Sequence, residues 1–188
     1  MQTHTRILPI ACFLVIAPIT ASAEGWYVEG IIGVDSPDEL EYFDADDLSI
    51  PTIGVRAGYQ LNKFLSVEGD LRIGVQDDDS NLANVGGEAD VGLTASAAIF
   101  ARASLPLSER LSTHVRLGTF ISEYSVEFTN IAGTGGSGQY TTQPAGLAVG
   151  AGAEFDLSED LYLRTDYTLF ELPGTESDAL TVGLGVKF

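Results

Sequence analysis

Beyond residue 23 the chain holds one histidine, His114, with Ser112 two positions before it. Residues i and i+2 of a strand share a face, so this pair with a nearby carboxylate would compose a serine–histidine–acid set. Two acidic groupings suggest metal chemistry instead: Asp44, Asp46 and Asp47, and the run Asp77-Asp78-Asp79. Oxygen ligands suit calcium, but neither grouping has the spacing of a calcium loop, and acid clusters are usually solvated. The largest grouping is spread along the whole chain: Glu29, Arg56, Glu68, Asp70, Arg72, Arg102, Arg116, Glu154, Arg164, Asp166 and Lys187. Each sits on the polar side of a stretch that alternates apolar and polar residues. A guanidinium fork holds two carboxylates at once, so the set reads as a structural ion-pair network. No catalytic residue, cofactor or metal ligand is assigned.

The elements that must position these residues are strands. From Glu24 onward no stretch has a helical period, and alternation with period two recurs. Eight strands are expected, at 25–34, 50–60, 65–75, 89–105, 111–126, 144–156, 161–171 and 179–188. The connections alternate in length. Leu61 to Phe64, Pro106 to Arg110 and Leu157 to Asp160 are tight, whereas 35–49, 76–88, 129–143 and 172–178 are long and polar. Short turns at one end and long loops at the other are the pattern of a membrane barrel. The fold class expected is therefore all-β: an eight-stranded antiparallel up-and-down transmembrane β-barrel.

A chain with a formal net charge of −18 that is still 45% hydrophobic must segregate the two kinds of residue. In the last strand Leu180, Val182, Leu184, Val186 and Phe188 share one face, opposite Thr181, Gly183, Gly185 and Lys187. Alternation alone does not say which face is inside, and a soluble lipocalin would be apolar within. The charges decide. The polar face collects arginines in near balance with carboxylates, as a narrow lumen requires, because an unpaired enclosed charge costs several kcal/mol. The acidic balance also excludes nucleic acid as a partner.

The first residues belong to a different element. His4 and Arg6 precede an apolar run from Ile7 to Ile19, interrupted by Pro9 and Pro18 and followed by Ala21-Ser22-Ala23. That is the form of a cleaved signal peptide over residues 1–23, with the barrel domain at 24–188. A lipoprotein signal at Cys12 fits less well, since the cysteine comes early and Pro9 stands where an aliphatic residue is wanted. Cleavage removes the one cysteine, so no disulfide or thiol chemistry is expected of the mature chain.

The segments Gly25-Trp26-Tyr27, Ala148 to Tyr167 and Leu184-Gly185-Val186-Lys187-Phe188 resemble those of the small OmpA-like and OmpX-like outer-membrane barrels, the porin-family proteins. The resemblance spans Gly25 to Phe188. It implies residence in the cell outer membrane, reached through the periplasm, and Phe188 as the feature that the barrel-assembly machinery recognises. It implies as partners outer-membrane lipid and lipopolysaccharide, and periplasmic chaperones in transit, for a monomer. OmpA continues into a peptidoglycan-binding domain and this chain stops at Phe188, so cell-wall anchoring is not implied. Barrel enzymes carry their catalytic groups at the outer rim or on the lipid face, whereas His114 follows a tight turn and points inward; a lipid-modifying enzyme is the least favoured reading. The leading expectation is a structural envelope barrel with at most a narrow, gated passage. The alternative is a surface adhesion protein that uses its acidic loops and a long hairpin of the fourth and fifth expected strands. Of the aromatic residues near the turn end, Trp26, Tyr27, Tyr59, Phe64, Phe155, Tyr162 and Phe188, the outward ones are expected to form an interfacial girdle.

Overall fold

The computed structural model describes residues 25–37, 49–76, 78–81, 88–131, 136–172 and 175–188. These form ten strands: β1 (Trp26–Pro37), β2 (Ile50–Gln60), β3 (Leu65–Gly74), β4 (Asp78–Asn81), β5 (Glu88–Pro106), β6 (Leu111–Ile131), β7 (Gly136–Thr142), β8 (Ala145–Asp156), β9 (Leu161–Leu172) and β10 (Thr175–Lys187). The leader and the acidic cluster Asp44, Asp46 and Asp47 lie outside the described residues, as does Asp77.

The three tight turns share one local chemistry. In each, the amide of a leading leucine donates to the carbonyl of a second leucine four residues on, at 2.8 Å: Leu61 to Leu65, Leu107 to Leu111 and Leu157 to Leu161. The residue after the leading leucine caps the turn with its side chain. Asn62 Oδ1 accepts from the Phe64 and Leu65 amides, Ser108 Oγ from the Arg110 and Leu111 amides, and Ser158 Oγ from the Leu161 amide. Turns this short force β2–β3, β5–β6 and β8–β9 to be antiparallel neighbours.

Around the ring the order is β1, β2, β3, β5, β6, β8, β9, β10 and back to β1, every pairing antiparallel. The first and last strands seal the ring from Tyr27 opposite Lys187 to Pro37 opposite Ser177. Closure leaves no edge strand within the barrel wall. The apolar face is outside. Ile99 is 66% exposed and Ile32 63%, whereas Arg56 is 0% exposed and Arg164 1%. A lipocalin would be the inverse, so the outer surface is matched to hydrocarbon and the interior to charge.

Two strands appear where loops were expected. β4 pairs with the first residues of β5, and β7 pairs with the last residues of β6. β5 has 19 residues and β6 21, longer than the roughly 9–11 that cross a bilayer. Beyond the ring they continue as a four-stranded sheet in the order β4, β5, β6, β7. The long hairpin expected from the sequence is real, but its flanks are not bare, because β4 and β7 occupy them. The sequence of β7, Gly136 to Thr142, lacks apolar alternation because Ser137 to Thr141 are exposed to water. Its strand conformation comes from pairing with β6.

Candidate functional site in the barrel lumen

The lumen is narrow, and its glycines decide where large side chains lie. β10 turns Thr181, Gly183, Gly185 and Lys187 inward. The Glu29 carboxylate leans across Gly183 and the Tyr162 ring across Gly185, in the volume that a Cβ would take. On the opposite side of β1, Tyr27 lies across Gly58 in the same way. The two tyrosines meet edge to face, with ring centres 6.3 Å apart, at the turn end of the lumen. Both belong to the aromatic set near the turn end, of which only the outward members were expected to form the girdle; these two point inward and are buried. The outward aromatics of that group are Trp26, Tyr59, Phe64, Phe155 and Phe188, with Trp26 and Tyr59 5.2 Å apart.

Above the tyrosines lies a buried layer of charge. Arg56 on β2 donates from Nε and Nη2 to both oxygens of Asp70 on β3, at 2.7 and 2.9 Å. Its Nη1 donates to Glu29 on β1 at 2.8 Å and to Asp166 on β9 at 2.9 Å. Arg164 reaches across the lumen to both oxygens of Glu68, at 2.5 and 3.1 Å, and donates to Asp166 at 3.0 Å. Arg116 donates to Asp70 at 3.0 Å and to the Thr168 hydroxyl at 2.6 Å. Arg102 donates to Glu154 at 2.6 Å. Lys187 bridges Glu154 at 2.8 Å and Asp156 at 2.6 Å at the turn end. Arg72 pairs with Asp35 near the loop end. Tyr27 and Tyr162 donate to Glu68 and Glu29, at 2.6 and 3.2 Å.

All eleven residues singled out from the alternation meet a partner in this layer. The partners missed were Asp35, Asp156, His114, Tyr27, Tyr162 and Thr168. Parity was the available signal for them, since Asp35 follows Glu29 by six residues and Asp156 follows Glu154 by two. Asp35 went unread because the first expected strand stopped at residue 34. Partner identity is a different matter. Glu154 stands directly opposite Arg164 in the β8–β9 register, yet its ion partners are Arg102 and Lys187. Side chains that cross a lumen choose partners by reach, not by strand adjacency.

His114 is held in this layer. Its Nε2 lies 2.6 Å from Asp166, and its Nδ1 lies 3.5 Å from Arg102 Nη2. Its side chain is fully buried, so it serves the network, and Ser112 is not among its hydrogen-bond partners. Among the described residues no group of three or more His, Cys, Asp or Glu is arranged to hold a metal ion.

An apolar layer closes the lumen on the loop side. Phe100, Phe120 and Phe170 pack with Ala98, Ala148 and Ala179. Phe120 and Phe170 meet edge to face at 4.8 Å, and the guanidinium of Arg116 sits 4.2 Å from the centre of the Phe100 ring. The sequence placed Phe120 on the polar face without giving it this sealing role.

A closed eight-stranded ring with lipid-matched outside and a filled, charge-balanced inside defines a membrane-spanning β-barrel. Residues 8–188 match the family of the outer membrane protein beta-barrel domain, and the chain belongs to that family. It is accordingly an outer-membrane protein. No curated protein sequence matches it. Among solved structures it is similar in fold to Ail, the attachment invasion locus protein of Yersinia pestis, at 17% identity and a TM-score of 0.61, covering 88% of this chain and 99% of that one. Neisserial surface protein A is similar at 15% identity and a TM-score of 0.55, covering 88% and 98%. OprG of Pseudomonas aeruginosa is similar at 16% identity and a TM-score of 0.55, covering 88% and 97%.

Proposed function

We propose that this protein is a non-conducting structural element of the outer membrane, a rigid barrel rather than a pore or an enzyme. The observation that carries this reading is the filled lumen, where paired tyrosines, the ion-pair layer and the phenylalanine layer follow one another along the axis. Eight strands leave an interior just wide enough for side chains. An ion would have to break several buried pairs to pass, at about 3–5 kcal/mol for each pair broken. Planar-bilayer recording of the refolded protein tests it. Only baseline current is expected, and reproducible unitary steps would overturn the reading.

The sheet beyond the ring favours a second reading, a surface interaction protein. One of the Ail structures is a complex with the heparin analogue sucrose octasulfate. A polyanion of that kind is a poor match to this chain. Asp90, Glu123, Glu127, Glu171 and Asp178 lie toward the loop end, and Arg72, near the loop end of β3, is paired with Asp35. A basic partner suits that surface, and among the described residues the outer edges of β4 and β7 pair with no further strand, which leaves them open to strand addition. Binding of cells with and without the protein to cationic and sulfated surfaces separates the two chemistries.

Delivery is proposed to follow the usual route of such barrels. Residues 1–23 direct export to the periplasm, the barrel-assembly machinery reads Phe188, and the protein stands as a monomer among lipid and lipopolysaccharide.

A further inference from the structure

We propose that the outer wall of the barrel carries a site for one anionic phospholipid of the periplasmic leaflet, with an acyl chain in a groove over β5 and β6 and its phosphate between Lys63 and Arg110. The groove is the first observation. One row of outward residues runs across five neighbouring strands: Leu65 opposite Ala103, Ala103 opposite Val115, Val115 opposite Ala151 and Ala151 opposite Tyr167. The next row toward the loop end sets Ala101 against Leu117, Leu117 against Val149 and Val149 against Leu169. The large side chains are walls and the alanines between them the floor, and together they line a cavity of about 540 Å³. Small-molecule sites measure about 300–1,000 Å³. Ile99, exposed and two residues beyond Ala101, bounds the floor on the loop side.

Its surroundings fix the chemistry of the occupant. Apart from the Tyr167 hydroxyl, the side chains of the groove are apolar, and Arg102 and Arg116 between them turn their guanidiniums into the lumen. The groove therefore belongs to the lipid-matched surface, where hydrocarbon covers it. The short turns of membrane barrels face the periplasm, so this half of the wall crosses the periplasmic leaflet. Phe64, an outward girdle aromatic, adjoins Leu65 and marks the interface level at the groove's mouth.

The charge at that mouth is the second observation. Beyond the leader, Arg56, Arg72, Arg102, Arg116, Arg164 and Lys187 are engaged in the lumen, which leaves Lys63 and Arg110 as the other cations of the chain. Both are exposed, and neither has an ion pair among the described residues. Lys63 precedes β3 and Arg110 precedes β6, the two strands that flank β5. Their turns are pinned there, because the Ser104 amide donates to the Phe64 carbonyl at 2.7 Å and the Asp156 amide to the Arg110 carbonyl at 2.8 Å. Lys63 Nζ lies 4.8 Å from the centre of the Phe64 ring, at the interface level where a lipid phosphate sits. The acid on these two turns is Glu109, whereas the third turn carries Glu159 and Asp160 and no cation. In a chain of formal net charge −18, both unpaired cations thus stand beneath the one groove. Basic groups at a membrane surface select anionic head groups. The site lies outside the lumen, so it is compatible with either reading of the function.

Native mass spectrometry of the folded protein released from detergent micelles tests the site, with phosphatidylglycerol and phosphatidylcholine of identical acyl chains as probes. One phosphatidylglycerol should be retained, and phosphatidylcholine should be held more weakly. Lys63→Gln combined with Arg110→Gln should weaken phosphatidylglycerol by roughly fivefold for each cation, up to about thirtyfold, toward the level of phosphatidylcholine. Ala103→Phe, which fills the groove from its floor, should lower retention of both lipids. Ala151→Leu takes its place if that variant does not fold, and heat-modifiable gel migration certifies the barrel in every case. Glu159→Gln with Asp160→Asn alters the charge of the third turn and should change neither affinity. Equal retention of the two lipids, no loss on removing the two cations or on filling the groove, or an equal response to the third-turn change would overturn the proposal. So would a dimer that Ala103→Phe dissociates, since the occupant would then be a second copy of the chain.

Discussion

Arg164 is the position at which the lumen network is most sharply testable. Its guanidinium is fully buried and contacts Glu68 at 2.5 Å, Asp166 at 2.9 Å and Glu29 at 3.8 Å. Replacing it by leucine leaves three enclosed carboxylates with one cation fewer, and removal of one side of a buried pair costs about 3–5 kcal/mol. With a urea slope of about 1–3 kcal/mol per molar, the unfolding midpoint in lipid vesicles should fall by at least about 1 M. Arg164→Leu combined with Glu68→Leu should recover part of that loss. The recovery will be incomplete, because Glu68 also accepts from Tyr27 and lies 3.5 Å from Arg102. The decisive comparison is a double-mutant cycle. Arg164 and Glu68 should couple by more than about 1 kcal/mol, whereas Arg164 and Glu154, opposite in register but with no contact between their charges, should couple far less. An unchanged midpoint for Arg164→Leu, or equal coupling to Glu154, would refute a dry, partner-specific lumen and revive the conducting reading.

Gly185→Ala should destabilise the barrel, by about 1–3 kcal/mol as overpacking does, because the new methyl would overlap the Tyr162 ring; Gly30→Ala, where a Cβ meets nothing within 4 Å, should be near neutral in the same urea assay. Deleting Phe188 removes an outward aromatic at the turn end and its backbone donation to the Trp26 carbonyl at 2.9 Å. The heat-modifiable fraction on a gel should drop, and normal yield would count against any role in assembly. N-terminal sequencing of the envelope form should begin at Glu24, and finding Met1 or a lipidated Cys12 would sink the cleavage assignment.

The amino-acid pattern alone determined the strands of the ring, the inversion of polarity and the charged set, because a strand has a period of two whatever surrounds it. Leu180 and Lys187 are on opposite faces in any extended chain, and arginine-rich balance marks the enclosed side. The three turns were legible for a related reason, since Leu-Asn or Leu-Ser followed by two polar or aromatic residues closes locally. Tertiary structure alone decided which charges meet. Arg164 takes Glu68 from the far wall rather than its register neighbour Glu154, and that choice depends on ring diameter and on the space left by Gly183 and Gly185. It also decided β4 and β7, which lack alternation and exist because β5 and β6 overrun the ring and present edges to pair. The bulge at Leu93/Ala95 belongs with them. One extra residue exchanges the faces of β5 without altering its composition, so Val91 and Leu93 before the shift are buried as Ser96 and Ala98 after it are.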